Sequence, residues 1–159
     1  MHHATRAERA GHWPDDRAEG AATLAYDDRH RRRMRLATDG GEEFLLDLPH
    51  AFSLEDGDGL QLDDGRWIAV RAAAESLIEV TAEPTLLTRL AWHLGNRHLP
   101  ARIELRRILI RRDHVIAGML SKLGATLRLI EAPFTPERGA YDQGHAHDPA
   151  HADAHHDHE

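Results

Sequence analysis

Pro84-Thr-Leu-Leu-Thr-Arg-Leu-Ala-Trp-His-Leu-Gly-Asn-Arg-His-Leu-Pro100 is the stretch on which the fold turns. Leu86, Leu87, Leu90, Ala91 and Leu94 recur at three- and four-residue spacing, the pattern of an amphipathic helix. Pro84 is tolerated in its first turn, and Gly95 and Asn96 can terminate it. Before it, Leu77-Ile-Glu-Val80 reads as a strand; after it, Ala101-Arg-Ile-Glu-Leu105 and Arg107-Ile-Leu-Ile110 read as two more. Asp113 is an N-cap for a second helix carrying Val115, Ile116, Met119, Leu120 and Leu123, closed by Gly124, and Ala125 to Ile130 is a final strand. Strand, helix, strand, strand, helix, strand is the ferredoxin-like βαββαβ plan, assigned to residues 77–132.

Working outward, residues 21–76 read as a small antiparallel β domain. Met34 to Thr38 and Phe44 to Leu48 flank Asp39-Gly40-Gly41, and Leu60 to Leu62 and Trp67 to Val70 flank Asp63-Asp64-Gly65, two hairpin signals. Residues 1–20 mix charge, Gly, Pro and Ala without periodicity and are expected to be a flexible leader. The expected fold class is therefore α+β and mostly β, followed by a connector over 133–144 and a disordered, histidine-rich tail over 145–159. That tail holds six His, three Asp and one Glu with almost no apolar bulk, too little to fold alone.

The chain has 159 residues, 41% of them hydrophobic, and a net charge of −7 with histidines neutral. A general nucleic-acid binder needs a clustered basic surface, which this balance argues against. Protonating all fourteen histidines would carry the charge from −7 to +7, so the electrostatics reverse where imidazole titrates, near ~6.5. No stretch approaches the ~18 apolar residues of a membrane span and no signal peptide opens the chain, so the expected location is the cytoplasm. With no cysteine, a transition metal must rest on imidazole, carboxylate, water or backbone.

The histidines fall in two groups. His93 and His98 stand at the end of the first helix and His114 opens the second; His145, His147, His151, His155, His156 and His158 lie in the tail. Interruption by Asp, Ala and Pro separates the tail from an expression tag, and the choice of a neutral nitrogen donor over Glu, Lys or Ser points to metal capture. His98, in a short loop before Pro100, is either a ligand or a cap on the helix C-terminus. His3 could join the terminal amine and two amides in a square-planar Ni(II) or Cu(II) site, or belong to a plain polar terminus. The basic run Arg29, Arg31, Arg32, Arg33 and Arg35 is a solvated edge strand or, through Arg31, Arg33 and Arg35, a docking surface for an acidic partner.

Trp92 to Pro100, Asp113-His-Val115, Met119-Leu120 with Leu123-Gly124, Phe134 to Tyr141 and the histidine-rich end together resemble the urease accessory protein UreE family. The resemblance implies a peptide-binding-like first domain, a ferredoxin-like second domain, and a homodimer in which His98 of each subunit meets to hold one Ni(II). It implies a metallochaperone that hands nickel through a UreG-type GTPase to apo-urease, with His93 and His114 as accessory ligands. Where some members carry a histidine two residues before His114, this chain has Arg112, a permanent cation. Imidazole also binds Zn(II) and Cu(II), so geometry and supply must select the metal.

Other classes fit less well. A metal-dependent hydrolase would need a preorganised site, yet there is no His-Glu-x-x-His, no Gly-x-Ser-x-Gly and no phosphate-cradling glycine loop, so no enzymatic activity is expected. A nickel or zinc storage protein explains the tail but not the histidines of the folded domain. A plain protein-docking module would bind its partner indifferently to nickel.

Overall fold

The computed structural model describes residues 1–139. Among these residues, ten strands form two sheets and two α-helices accompany the second. Strands β1 (His2–Glu8), β2 (Ala18–Leu24), β3 (Arg33–Ala37), β4 (Glu43–Asp47), β5 (Gly59–Leu62) and β6 (Trp67–Ala72) make a six-stranded sheet in the order β2-β6-β5-β1-β4-β3. The two expected hairpins, β3–β4 and β5–β6, are antiparallel. Two further pairings, β1 with β4 and β2 with β6, are parallel.

The first twenty residues are not a flexible leader. They supply β1, a 3-10 turn at Asp15–Arg17 and the start of β2, and β1 lies inside the sheet between β5 and β4. The sequence HHATRAE hides this because its inward face carries only small residues: Ala4 is fully buried and Ala7 packs against the same core as Phe44, Leu46, Leu60 and Ile68. With no bulky apolar alternation, the period-2 signal vanishes.

The rest of the leader is anchored by two contacts. Asp58, itself buried, accepts from Arg9 Nη1 at 2.8 Å, Ala10 N at 3.1 Å and Glu55 N at 2.8 Å. Trp13 donates from Nε1 to the Gly57 carbonyl at 3.0 Å and stacks on Trp67 with ring centroids 5.5 Å apart. Gly59 makes room for this indole, since a Cβ there would lie 2.3 Å from Trp13 Cδ2.

The second sheet has the order β10-β7-β9-β8, from β7 (Ala74–Thr81), β8 (Arg102–Ile103), β9 (Ile108–Arg111) and β10 (Thr126–Pro133). All its pairings are antiparallel. With α1 (Pro84–Asn96) and α2 (His114–Lys122) interleaved, this is the βαββαβ arrangement expected from the 3.6- and 2-residue periods. Leu87, Leu90 and Leu94 of α1 and Ile116 and Leu120 of α2 pack with Ile78, Val80, Ile108 and Ile110 of the sheet. A third, smaller cluster of Leu77, Leu109 and Phe134 takes in Tyr26 from the first domain.

Arg29 does not belong to the exposed basic run. It is 2% exposed, and its Nη2 donates to the Phe134 carbonyl while Nη1 reaches the Leu54 carbonyl at 3.5 Å. Burial lowers its pKa, opposed by the charge of Glu75 and neighbouring acids. Its role is to tie the end of β10 to the first domain.

Candidate metal centre

His98 owes its position to α1. Glu83 caps the N-terminus by accepting from Leu86 N at 2.6 Å and Thr85 N at 3.2 Å, and Leu87, Leu90 and Leu94 hold the helix on the sheet. The helix ends at Asn96, within the Gly95-Asn96 pair expected to terminate it, and Arg97 is its C-cap. There His98 adopts φ +56°, the one non-glycine residue with positive φ among the described residues. Its N–H reaches the Gly95 carbonyl at 3.0 Å and the Leu99 N–H reaches the Leu94 carbonyl at 3.2 Å, the two bonds of a Schellman motif. Leu99 packs in the same cluster as Leu94, so the backbone is fastened on both sides of an exposed imidazole.

His93 lies half-buried on α1 with its ring 5.1 Å from that of Trp92, edge to face. His114 is the exposed first residue of α2, directly after Asp113, whose Oδ1 accepts from Val115 N at 2.9 Å and Ile116 N at 3.1 Å. Leu99 and Pro100, which follow His98, line one groove with Arg112, Asp113 and Ile116. The loop bearing His98 and the start of α2 therefore border each other.

These imidazoles do not by themselves make a complete site. Among the described residues, His, Asp or Glu ligand atoms gather in a group of three within 4.8 Å at His2, Asp63 and Asp64, and His93, His98 and His114 are not in that group. The tail residues His145, His147, His151, His155, His156 and His158 lie outside the described residues.

His3 admits two readings from sequence, a square-planar metal site or a plain polar terminus. A square-planar site would consume the amide of His3, yet that N–H donates to Asp63 Oδ2 at 3.2 Å, and His3 Nδ1 stands 3.6 Å from Asp47 Oδ2. His2, not His3, is the imidazole that meets two carboxylates, and no local signal could have shown this because Asp63 and Asp64 are about sixty residues away. Arg31, Arg33 and Arg35 are exposed beside or on β3, the free edge of the first sheet, and Arg33 Nε is 4.0 Å from Asp47. No helix among the described residues is long and apolar enough to cross a membrane.

Two family models match the chain end to end. One described as UreE urease accessory protein, N-terminal domain, matches residues 1–73, and one described as UreE urease accessory protein, C-terminal domain, matches residues 75–159. The chain is 57% identical over 143 residues to a urease accessory protein UreE of Ruegeria pomeroyi, covering 90% of this chain and 93% of that protein. A UreE of Chelativorans sp. is 55% identical over 147 residues, covering 89% and 93%, and one of Bradyrhizobium sp. is 53% identical over 149 residues, covering 92% and 70%.

Proposed function

The chain belongs to the UreE urease accessory protein family, and from that premise we propose that it is a nickel metallochaperone that delivers Ni(II) to apo-urease. The observation that carries the reading is the presentation of His98: an exposed imidazole on a clamped, left-handed turn, outside any group of three ligand atoms among the described residues of one subunit. A homodimer remedies this by bringing His98 of each subunit to one twofold axis. Of the seven exposed large hydrophobic residues among those described, six lie between Trp92 and Leu129, and Leu105 is 93% exposed, which favours pairing through the second domain.

Two imidazoles leave coordination positions open. Ni(II) takes more donors than two, so water or tail histidines complete the shell, and His93 and His114 are the nearest accessory ligands in sequence. An under-filled site suits a carrier because a partner can replace its exchangeable donors without breaking a closed cage. Nickel is cargo here, passed through a UreG-type GTPase in the cytoplasm. Zn(II) and Cu(II) compete for the same nitrogens, and Cu(II) is held more tightly in the usual order.

The test is Ni(II) titration by calorimetry, with mass measured in parallel, on the intact protein, on a chain ending at Gly144 and on His98→Ala. Retention of about one tight nickel per dimer by the truncated chain, and its loss in His98→Ala, is the expected result. If truncation removes all binding and His98→Ala changes nothing, the protein is a tail-based nickel or zinc store.

A further inference from the structure

Independently of the His98 reading, we propose that His2, Asp63 and Asp64 form a second metal site, on the N-terminal domain, for one hydrated divalent transition-metal ion. Its donors are one imidazole nitrogen and two carboxylate oxygens, with water filling the exposed side.

The cluster is assembled by tertiary structure. β1 runs beside the turn between β5 and β6, and that turn is stitched to it twice: Asp63 N donates to the His3 carbonyl at 2.8 Å, and His3 N donates to Asp63 Oδ2 at 3.2 Å. His2 Nδ1 then lies 2.7 Å from Asp63 Oδ1 and His2 Nε2 lies 3.5 Å from Asp64 Oδ2. Donors at ~2.0–2.2 Å from a common ion stand at most about 4.4 Å apart, so the group, all within 4.8 Å, closes on an ion by a small rotation of exposed side chains.

One ligand, Asp64, is fixed from outside the group by Arg66. Arg66 donates to Asp64 through its amide at 3.1 Å and Nε at 2.7 Å, and its Nη1 and Nη2 grip Glu42 at 2.9 and 2.6 Å. A hydrogen-bonded partner behind a ligand fixes its orientation and is part of such a site. Three carboxylates against one guanidinium leave two negative charges when His2 is neutral, the charge a divalent ion cancels. On metal binding, one ring nitrogen of His2 turns from its carboxylate partner to the ion.

The test uses Mn(II) as a paramagnetic probe on the full-length, nitrogen-15-labelled protein, because carboxylates with water suit Mn(II) better than imidazole alone does. The amide signals of His3, Asp63, Asp64 and Gly65 should broaden at substoichiometric Mn(II) and recover when Zn(II) is added. His2→Ala and Asp64→Asn should each require about tenfold more Mn(II) or worse, the scale on which even outer partners of a ligand act. His98→Ala should leave this response unchanged, so failure of the His98 reading is separable. If those signals stay sharp while others broaden, or respond equally in His2→Ala and Asp64→Asn, the cluster is only a surface ion-pair network and the site does not exist.

Discussion

His98 and Gly124 occupy the same position of the same helix-ending motif, one in each helix of the second domain. Gly124, at φ +100°, sends its N–H to the Ser121 carbonyl at 3.1 Å while Ala125 N reaches Leu120 at 3.0 Å, the pair of bonds made by His98 and Leu99 at the end of α1. Glycine adopts this conformation freely, whereas a side chain there costs about 1–2 kcal/mol. The chain uses glycine at the end that carries no candidate ligand and histidine at the end that does. Strain kept where a cheaper residue would serve supports the role proposed for His98.

His98→Gly should therefore raise unfolding stability by about 1 kcal/mol while abolishing the tight nickel site. His98→Ala should lose nickel without the gain. Urea unfolding of the apoproteins, paired with nickel titration, checks both, and a less stable His98→Gly would remove the strain argument. Gly124→Ala should go the other way, since its Cβ also meets Leu86 Cδ2 at 3.4 Å.

Gly59→Ala should displace Trp13 from its slot. The added Cβ lies 2.3 Å from the indole, and relief of such a clash costs about 1–3 kcal/mol. A shift in tryptophan emission together with a lower urea midpoint is expected; an unchanged midpoint would mean that the indole yields without loss.

Asp58→Ala leaves the amides of Ala10 and Glu55 without their acceptor and Arg9 Nη1 with only the Ser53 carbonyl, at 2.6 Å. Loss of one partner of a buried ion pair should cost about 3 kcal/mol. Hydrogen exchange should accelerate first in residues 2–13, the segment this carboxylate anchors; uniform acceleration across both domains would contradict that role.

Acid should weaken the second domain through Glu79. Hydrogen bonds from Arg107, and then Arg128, hold its carboxyl below the ordinary value, so the folded state binds fewer protons there than the unfolded chain. That contribution is complete above ~4.3, the unfolded value, and is lost as pH falls through the lower folded one. Urea midpoints should stay level from pH 7 to about 5 and drop below about 4, with a smaller drop in Glu79→Gln. An identical drop in the variant would assign acid sensitivity elsewhere.

Nickel should leave as imidazole protonates, because a ligand must present its lone pair. Affinity measured by calorimetry should collapse below about pH 6. Undiminished affinity at pH 5 would be incompatible with imidazole ligation.

Much was legible from the residues alone because it depends on near neighbours. The leucine spacing of α1, the Asp113 cap on Val115 and Ile116, and the turns at Asp39-Gly40-Gly41 and Asp63-Asp64-Gly65 are decided within a few residues of chain. His98 was legible as a candidate ligand and Gly95-Asn96 as the helix terminus, but the positive φ of His98 was not, since it depends on the packing of Leu99 on the core of Leu94.

By itself, then, the sequence determined the helices, the hairpins, the family and the imidazoles available for metal, all properties of local pattern and side-chain type. Tertiary structure alone decided that residues 2–8 form an interior strand, that Arg29 is buried, and that His2 faces Asp63 and Asp64. Each depends on partners tens of residues away, and the interior strand also on burial of small side chains such as Ala4 that carry almost no pattern of their own.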